Sequence, residues 1–322
     1  MQVARSHGFT LIEAIVVIAV LGIVSVSFGV FILPAIKAQQ DVTRRAELVD
    51  AAESALRRMA RDVRIAVPNS VRLTNTISGG SGFALEMIPT VDGARYCTAG
   101  TADCAIAGAD VLAISAPDAT FDVLGCFRDA TFLGASGGNA YRLVVDNSDT
   151  GIYTATGASA VLTPVVTVTL SLFPGTSATT PTCGQASLTA NSFNRHRVTL
   201  GAAHTFPTGS PRQRVFVVQD AIVPVTYICN QTTGTLSRYA GYKSGLAYST
   251  AAQPTDPAAA PLSAATGRQV TRNVTACSAT GSETVGSTGT IEGSAVLTIS
   301  LTLAQSGESV QLMKQVQLDN TQ

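Results

Sequence analysis

The sequence predicts an α+β protein: a long N-terminal helical arm, membrane-spanning and then amphipathic, followed by a β-rich globular domain with disulfides. Three observations predict this class. Residues 14–33 carry no formal charge, residues 34–67 show helical hydrophobic periodicity, and the remainder is rich in β-branched runs bounded by turn residues. The 21 basic and 21 acidic residues balance, so there is no electrostatic footprint for nucleic acid, and no nucleic-acid partner is expected.

The apolar run is long enough to cross a membrane. A helix over residues 14–33 extends roughly 30 Å, one hydrocarbon thickness. Arg5 and His7 precede the run, which predicts that the N-terminus stays inside while the rest of the chain is exported. A secretory signal peptide and a plain membrane anchor are the alternatives. Neither explains Glu13, an acid at the edge of the run whose charge is costly without a partner.

The stretch GFTLIE at residues 8–13, followed by the apolar run, resembles the class III signal of type IV prepilins and pseudopilins. The resemblance implies that a prepilin peptidase cuts after Gly8 and that Phe9 becomes the N-methylated new N-terminus. It also implies that the Glu13 carboxylate pairs with the terminal amine of a neighbouring subunit. Such a pair enforces register, because two buried opposite charges are tolerable together and costly apart.

The same resemblance implies where the protein works and with which partners. It implies a single pass through the inner membrane with the C-terminal domain in the periplasm, and afterwards a place in the pilus at the cell surface. The implied partners are other pilins and minor pilins of the filament, the prepilin peptidase and the inner-membrane assembly platform. Four segments follow: a leader at 1–8, a transmembrane and assembly helix at 9–33, its amphipathic continuation at 34–67 and an exported globular domain at 68–322.

The segment after Pro34 has the pattern of an amphipathic helix. Its apolar residues follow three- and four-residue steps in one stripe: Ala38, Val42, Ala46, Val49, Ala52, Leu56, Met59 and Val63. Pro34 is expected to kink the helix or to mark its exit from the membrane, because proline removes one backbone donor. Pro68 is expected to stop the pattern.

Charged residues on the same segment predict surface ion pairs. Acid-before-base spacing of four residues predicts one pair between Asp41 and Arg45 and another between Glu53 and Arg57. A basic cluster is formed by Arg57, Arg58, Arg61 and Arg64. We interpret this cluster as a solvated helix face, partly salt-bridged by the nearby Glu53 and Asp62. Contact with acids of adjacent subunits, or with nucleic acid, is the alternative.

Beyond residue 67, seven runs rich in β-branched or alternating residues predict strands: FALEMI, DVLAIS, YRLVVD, VVTVTLSLF, RVFVVQ, VPVTYI and AVLTISLTLA. Alternate residues of the last run, from Ala295 to Leu303, are expected to share one face. QSGES should then turn into VQLMKQVQL as a terminal hairpin. Stretches rich in Pro, Thr and Ala predict loop insertions near 174–192 and 249–268.

All six cysteines lie beyond the apolar run, and their even count predicts three disulfides in an oxidising compartment: Cys97, Cys104, Cys126, Cys183, Cys229 and Cys277. Many connectivities are possible, and the sequence leaves the choice open. Local spacing suggests Cys97–Cys104, and Cys229–Cys277 would tie the VTYIC strand to the loop before the last hairpin. Cys126–Cys183 is then the remaining pair. Because C-x-x-C spacing is absent, no zinc site is expected.

Three further stretches narrow the resemblance. ALRRMARDVRIAVPNSVRL is similar to the helix end of large minor pilins and J-type pseudopilins. VPVTYICNQTTGTLSRYAGY and the ending GESVQLMKQVQLDN are similar to the MshO-like proteins of MSHA-pilus biogenesis. The resemblance implies a minor pilin that acts in pilus assembly or initiation through helix packing, without enzymatic activity or cofactor. A J-type pseudopilin of type II secretion and a filament-tip adhesin are the alternatives.

Possible catalytic groups have better structural explanations. GASGG formally contains G-x-S-x-G around Ser136, but the residues after it predict a strand instead of the helix that a nucleophile elbow requires. His196 and His204 are expected to be polar surface or strand residues.

One stretch, VVDNSDTGIY, offers oxygen ligands for calcium through Asp146, Ser148 and Asp149. The EF-hand pattern fails because Gly157 stands where the loop requires Glu. An Asx-type turn explains the same residues, so no metal is expected.

Overall fold

The structure, a computed structural model, describes residues 9–100, 104, 109–124, 127, 141–147, 150–153, 162–171, 195–219, 222–242, 252–282, 284–285, 290–291 and 294–319. Within them, one α-helix precedes sixteen strands: α1 Leu11–Arg64, β1 Arg72–Ile77, β2 Gly80–Met87, β3 Asp92–Tyr96, β4 Asp118–Leu124, β5 Tyr141–Val144, β6 Leu162–Ser171, β7 Arg195–His204, β8 Arg214–Gln219, β9 Val225–Asn230, β10 Thr235–Ala240, β11 Thr266–Arg272, β12 Val274–Gly281, β13 Thr284–Val285, β14 Thr290–Ile291, β15 Ser294–Gln305 and β16 Glu308–Asp319. The predicted α+β class is therefore confirmed.

Helix α1 is continuous over 54 residues. Pro34 lies inside it and does not end it, since a proline deletes only one hydrogen bond of a ladder that continues on both sides. The helix ends before Pro68, with Ile65 as its C-cap and the Ile65 backbone N–H bonded to the Arg61 carbonyl.

The C-terminal part of α1 shares one hydrophobic core with two antiparallel sheets. The larger sheet has the strand order β11-β10-β9-β2-β1-β14-β13, and the smaller has the order β12-β15-β16. Helix α1 packs beside β16 and β15, while β12 packs across β1, β2 and β9. The inward-facing side chains of these strands, among them Leu297, Ile299 and Val316, share the core with the helix.

The far face of the larger sheet is buried as well. Arg72 of β1 and Glu86 of β2 form an ion pair there, and both side chains are almost completely buried. Tyr242 donates to Glu86 over 2.7 Å, and the Gln253 amide donates to the carbonyls of Arg72 and Ala84. The segment after residue 251 therefore lies on this face, within the region predicted as the second loop insertion.

A closed barrel of six strands, in the order β3-β4-β7-β6-β5-β8, is inserted between β2 and β9. These two strands are neighbours in the larger sheet, with Leu85 opposite Tyr227, so the chain leaves the sheet, builds the barrel and returns beside the strand it left. The barrel has its own core, which includes Phe121, Leu143 and Val217. The sequence predicted one β-rich domain and did not predict this insertion.

The barrel contacts the segment just after α1 through both apolar and polar side chains. Val67 and Ile88 share a hydrophobic cluster with Val144 and Val218 of the barrel. Side-chain amides cross the same boundary: the Asn147 amide donates to the Pro68 carbonyl over 2.8 Å.

Most predicted strands are present, but one prediction was wrong. DVLAIS forms one isolated bridge, between Ile114 and Phe206, and no strand. Strands β15 and β16 form the predicted hairpin, and the alternate residues of β15 from Ala295 to Leu303 are all buried. Positive φ angles at Ser306 and Gly307, 50° and 91°, fit the two-residue turn that such hairpins favour.

Candidate functional site

The N-terminus of α1 is a capped helix end with an acid in its first turn. Thr10 is the N-cap, and its hydroxyl accepts the Glu13 backbone N–H at 3.4 Å. An acid in the first turn is favourable because unpaired N–H groups give this end a partial positive charge. Phe9 precedes the cap and is 77% exposed. Gly8 lies outside the described residues.

The first half of α1 is an apolar surface without any cover. Every described side chain from residue 9 to residue 40 is exposed, including Ile18 at 70% and Ile23 at 70%. The hydroxyls of Ser25 and Ser27 donate to the carbonyls of Leu21 and Ile23 in the same helix. These donors therefore need no partner outside the helix. The segment is long and apolar enough to span a membrane. A surface of this size in a soluble setting marks an interaction site.

The predicted apolar stripe is buried only in the second half of α1. Ala52, Leu56, Met59 and Val63 lie in the core as predicted, but Val42 is 70% exposed. The domain ends there, so the stripe has nothing to pack against. Leu48, Ala55 and Ala60 are buried although the predicted stripe omitted them; the alanines give little periodic signal because helix faces tolerate them anywhere.

A polar contact that the sequence did not reveal fixes the end of α1 to the larger sheet. One oxygen of Asp62 accepts from Tyr227 over 2.7 Å and from Arg238 over 2.8 Å. Burial, followed by the charge and hydrogen bond of Asp62, raises the pKa of Tyr227. Asp62 lies next to Arg61 of the basic cluster, but its side chain points to the sheet, because β9 and β10 bring its two partners together.

The surface ion pairs follow the prediction in part. Glu53 pairs with Arg57 as expected. Asp41 pairs with Arg44 over 2.9 Å, and not with Arg45, since a three-residue step also places two side chains on one helix face.

One disulfide lies in the core that α1 shares with the sheets, and the other lies beside β3 of the barrel. Cys229 bridges Cys277, with Cα atoms 6.6 Å apart, and Cys97 bridges Cys104 at 5.6 Å. These are two of the pairs considered from the sequence. Cys126 and Cys183 lie outside the described residues.

The other residues singled out from the sequence form no common site among the residues that the structure describes. His196 is buried in β7, where its Nδ1 accepts the Phe127 N–H over 3.1 Å, and burial lowers its pKa. Asp146 accepts from Thr208 over 2.7 Å. Asp149 and Ser136 lie outside the described ranges, and within those ranges no group of three metal-ligating side chains is found.

Comparison with protein families gives one match: the model of the prokaryotic N-terminal methylation motif matches residues 3–28. No curated protein and no solved structure matches the chain. The motif covers the N-terminus and the first turns of the exposed half of α1, so the chain carries the N-terminal signature of type IV prepilin-like proteins. The β domain has no counterpart in these comparisons.

Proposed function

We propose that the protein is a minor type IV pilin, MSHA-type and MshO-like, that takes part in pilus assembly or initiation. The observation that carries the proposal is the division of α1. Its first half is an uncovered apolar rod that begins at Phe9, inside the matched methylation motif, and its second half is held by the globular domain. A rod of this kind needs lipid before assembly and other helices after it.

Processing creates a positively charged terminal amine with which a Glu13 carboxylate can pair. Prepilin peptidase cuts after Gly8 on the cytoplasmic side, and Phe9 becomes an N-methylated amine at the start of the helix. That amine is positive, and so is the N-terminal end of the helix dipole, which makes an uncompensated N-terminus costly in an apolar bundle. The Glu13 carboxylate of a neighbouring subunit compensates this charge and sets the register between two helices.

The topology follows from the same helix. Arg5 favours retention of the N-terminus in the cytoplasm, and α1 then crosses the inner membrane and delivers the β domain to the periplasm. Disulfides persist in that compartment, consistent with the Cys97–Cys104 and Cys229–Cys277 bridges. The partners are the other pilins of the filament, the prepilin peptidase and the assembly platform.

The test is replacement of Glu13 in cells that assemble the filament. Glu13→Ala should leave membrane insertion and Phe9 methylation intact and reduce the amount of protein in sheared filaments by roughly tenfold, the effect of losing about 1.4 kcal/mol of pairing. Glu308→Gln, which removes an acid in the C-terminal hairpin, is the matched control and should incorporate normally. Wild-type incorporation of Glu13→Ala would remove the assembly role.

The filament that incorporates the protein identifies its system. Co-purification of the wild-type chain with MSHA-type pilins supports the proposal at its finest level. Co-purification with the pseudopilins of type II secretion would instead assign it to the J-type pseudopilins, which share the helix-end sequence.

A further inference from the structure

The outward face of the second half of α1 carries an ordered charge pattern. Three acids are followed by three arginines, each eleven residues further along: Glu47 and Arg58, Asp50 and Arg61, Glu53 and Arg64. Eleven residues are close to three helical turns, or about 16 Å, so the arginines lie on the same face as the acids, directly above them. We call these six residues the charged strip.

The charged strip is available for contact. All six side chains are exposed. Among the described residues, no ion pair involves Glu47, Asp50, Arg58, Arg61 or Arg64, and only Glu53 has a charged partner, Arg57.

Stability of the single helix does not explain this order. Isolated helices gain most when acids and bases alternate at three- or four-residue spacing, whereas here like charges are grouped. Arg61 and Arg64 complement the helix dipole in the last turn. The dipole does not explain Glu47, Asp50 and Glu53, which lie far from the N-terminal end of α1.

We infer that the charged strip binds the charged strip of a second copy of this chain, parallel to the first and displaced by three helical turns. That displacement brings the three acids of one copy level with the three arginines of the other. In-register parallel copies would place acid against acid and arginine against arginine, which is repulsive. The pattern therefore selects a stagger of about 16 Å.

The fold leaves the charged strip on the helix face that the β domain does not cover. The β domain covers the opposite face of the helix, where Ala52, Leu56 and Met59 are buried. The inference rests on the proposed function: when arms pack together at the centre and domains lie outside, the charged strip faces the other helices. A terminal amine opposite Glu13 requires a displacement of only about four residues, or roughly 6 Å, so the two contacts join each copy to different neighbours.

A charge-swap experiment on the full chain tests the inference. Two differently tagged copies are expressed together, and their co-purification from membrane extracts is measured. Copies that both carry Arg61→Glu, or both carry Asp50→Arg, should co-purify roughly tenfold less than wild-type copies, because attraction becomes repulsion. One Arg61→Glu copy with one Asp50→Arg copy should recover wild-type association, since every staggered contact between positions 50 and 61 is again attractive.

The outcomes separate this inference from the proposed function. Reduced co-purification of two identical variant copies, together with wild-type co-purification of the mixed pair, supports the staggered contact. Unchanged association of Arg61→Glu copies, or loss without recovery in the mixed pair, overturns it. Phe9 methylation is measured in the same extracts: a methylated chain whose association ignores the swap would refute the charged strip alone, whereas an unprocessed Met1 would refute the proposed pilin function.

Discussion

Leu21 and Leu56 belong to one helix and are in opposite situations. Leu21 is 58% exposed and Leu56 is 3% exposed. The two residues are joined by continuous helix, including the turn that contains Pro34, so the difference is not one of secondary structure. In the first half of α1 apolar residues occupy all faces, and in the second half they form one stripe.

The comparison shows that the hydrophobic pattern of a helix indicates what will cover it. A stripe matches the one-sided surface of the sheets built by β1, β2, β9, β12, β15 and β16. A helix that is apolar on all faces needs surroundings on all faces, as in a membrane or the centre of a helical bundle. The first half of α1 therefore requires apolar surroundings outside the fold, and the second half stabilises the fold.

The largest expected effect comes from truncating the same residue type in each half. Leu56→Ala should lower the free energy of unfolding by about 2–5 kcal/mol, since it opens a cavity in the main core. Leu21→Ala removes the same atoms from an exposed position and should change it by less than about 0.5 kcal/mol. Denaturant unfolding of the full chain in detergent compares the two. Equal effects would contradict the division of α1.

A second contrast concerns two acids on the second half of the helix. Asp62→Asn should cost about 1–3 kcal/mol, because it breaks the ion pair with Arg238 and leaves Tyr227 with a neutral acceptor. Glu53→Gln breaks only the exposed pair with Arg57 and should cost about 0.3–0.5 kcal/mol. The same unfolding measurement tests both. A cost for Glu53→Gln that matches Asp62→Asn would mean that the helix is not fixed through the sheet contact.

Alkaline pH should destabilise the domain and leave the first half of the arm unaffected. Burial, assisted by Glu86 or Asp62, raises the pKa of Tyr153, Tyr242 and Tyr227 above the ordinary value of 10.0. The folded state thus keeps protons that the unfolded state loses. The contribution of these tyrosines to the free energy of unfolding is fully present below pH 10. Above pH 10 the free energy of unfolding falls by about 1.4 kcal/mol per pH unit for each tyrosine that ionises only on unfolding.

The check on this pH dependence is the slope of unfolding free energy against pH. Tyr227→Phe should reduce the slope by the contribution of one tyrosine, even though it also removes a hydrogen bond to Asp62. An unchanged slope would show that Tyr227 ionises as readily when folded as when unfolded.

The sequence predicted the helix and the terminal hairpin well because both depend on local periodicity. The steps that lead to Leu56, Met59 and Val63 mark one helix face, and the alternation from Ala295 to Leu303 marks one strand face. The stripe did not reveal where along the helix the domain begins. Val42 was therefore predicted in the stripe although it is exposed. That boundary depends on strands that are distant in sequence.

The barrel was missed for a related physical reason. Its strands β4 and β7 are joined by the buried Asp122, whose oxygens accept both Nε and Nη2 of Arg197 at 2.7 and 3.0 Å. A charged residue in the middle of a strand weakens the apolar pattern, and its partner lies far along the chain. The pairing of β2 with β9 across the whole insertion likewise leaves no local signal.

For the candidate site, the sequence supplied the motif at Gly8, Phe9 and Glu13, because a short motif at a membrane edge is local. It could not supply Asp62 with Arg238 and Tyr227, or the exposure of the charged strip. These depend on which face of α1 the sheets occupy, and that choice is made only by the tertiary structure.

The central claim is that the exposed half of α1 is a processed assembly surface that begins at Phe9. The most direct test is intact and peptide mass spectrometry of the unreduced protein extracted from membranes of cells that contain a prepilin peptidase. We predict a mature chain that starts at N-methylated Phe9 and retains the apolar run. A chain that retains Met1, or one cut beyond Leu33, would contradict the claim.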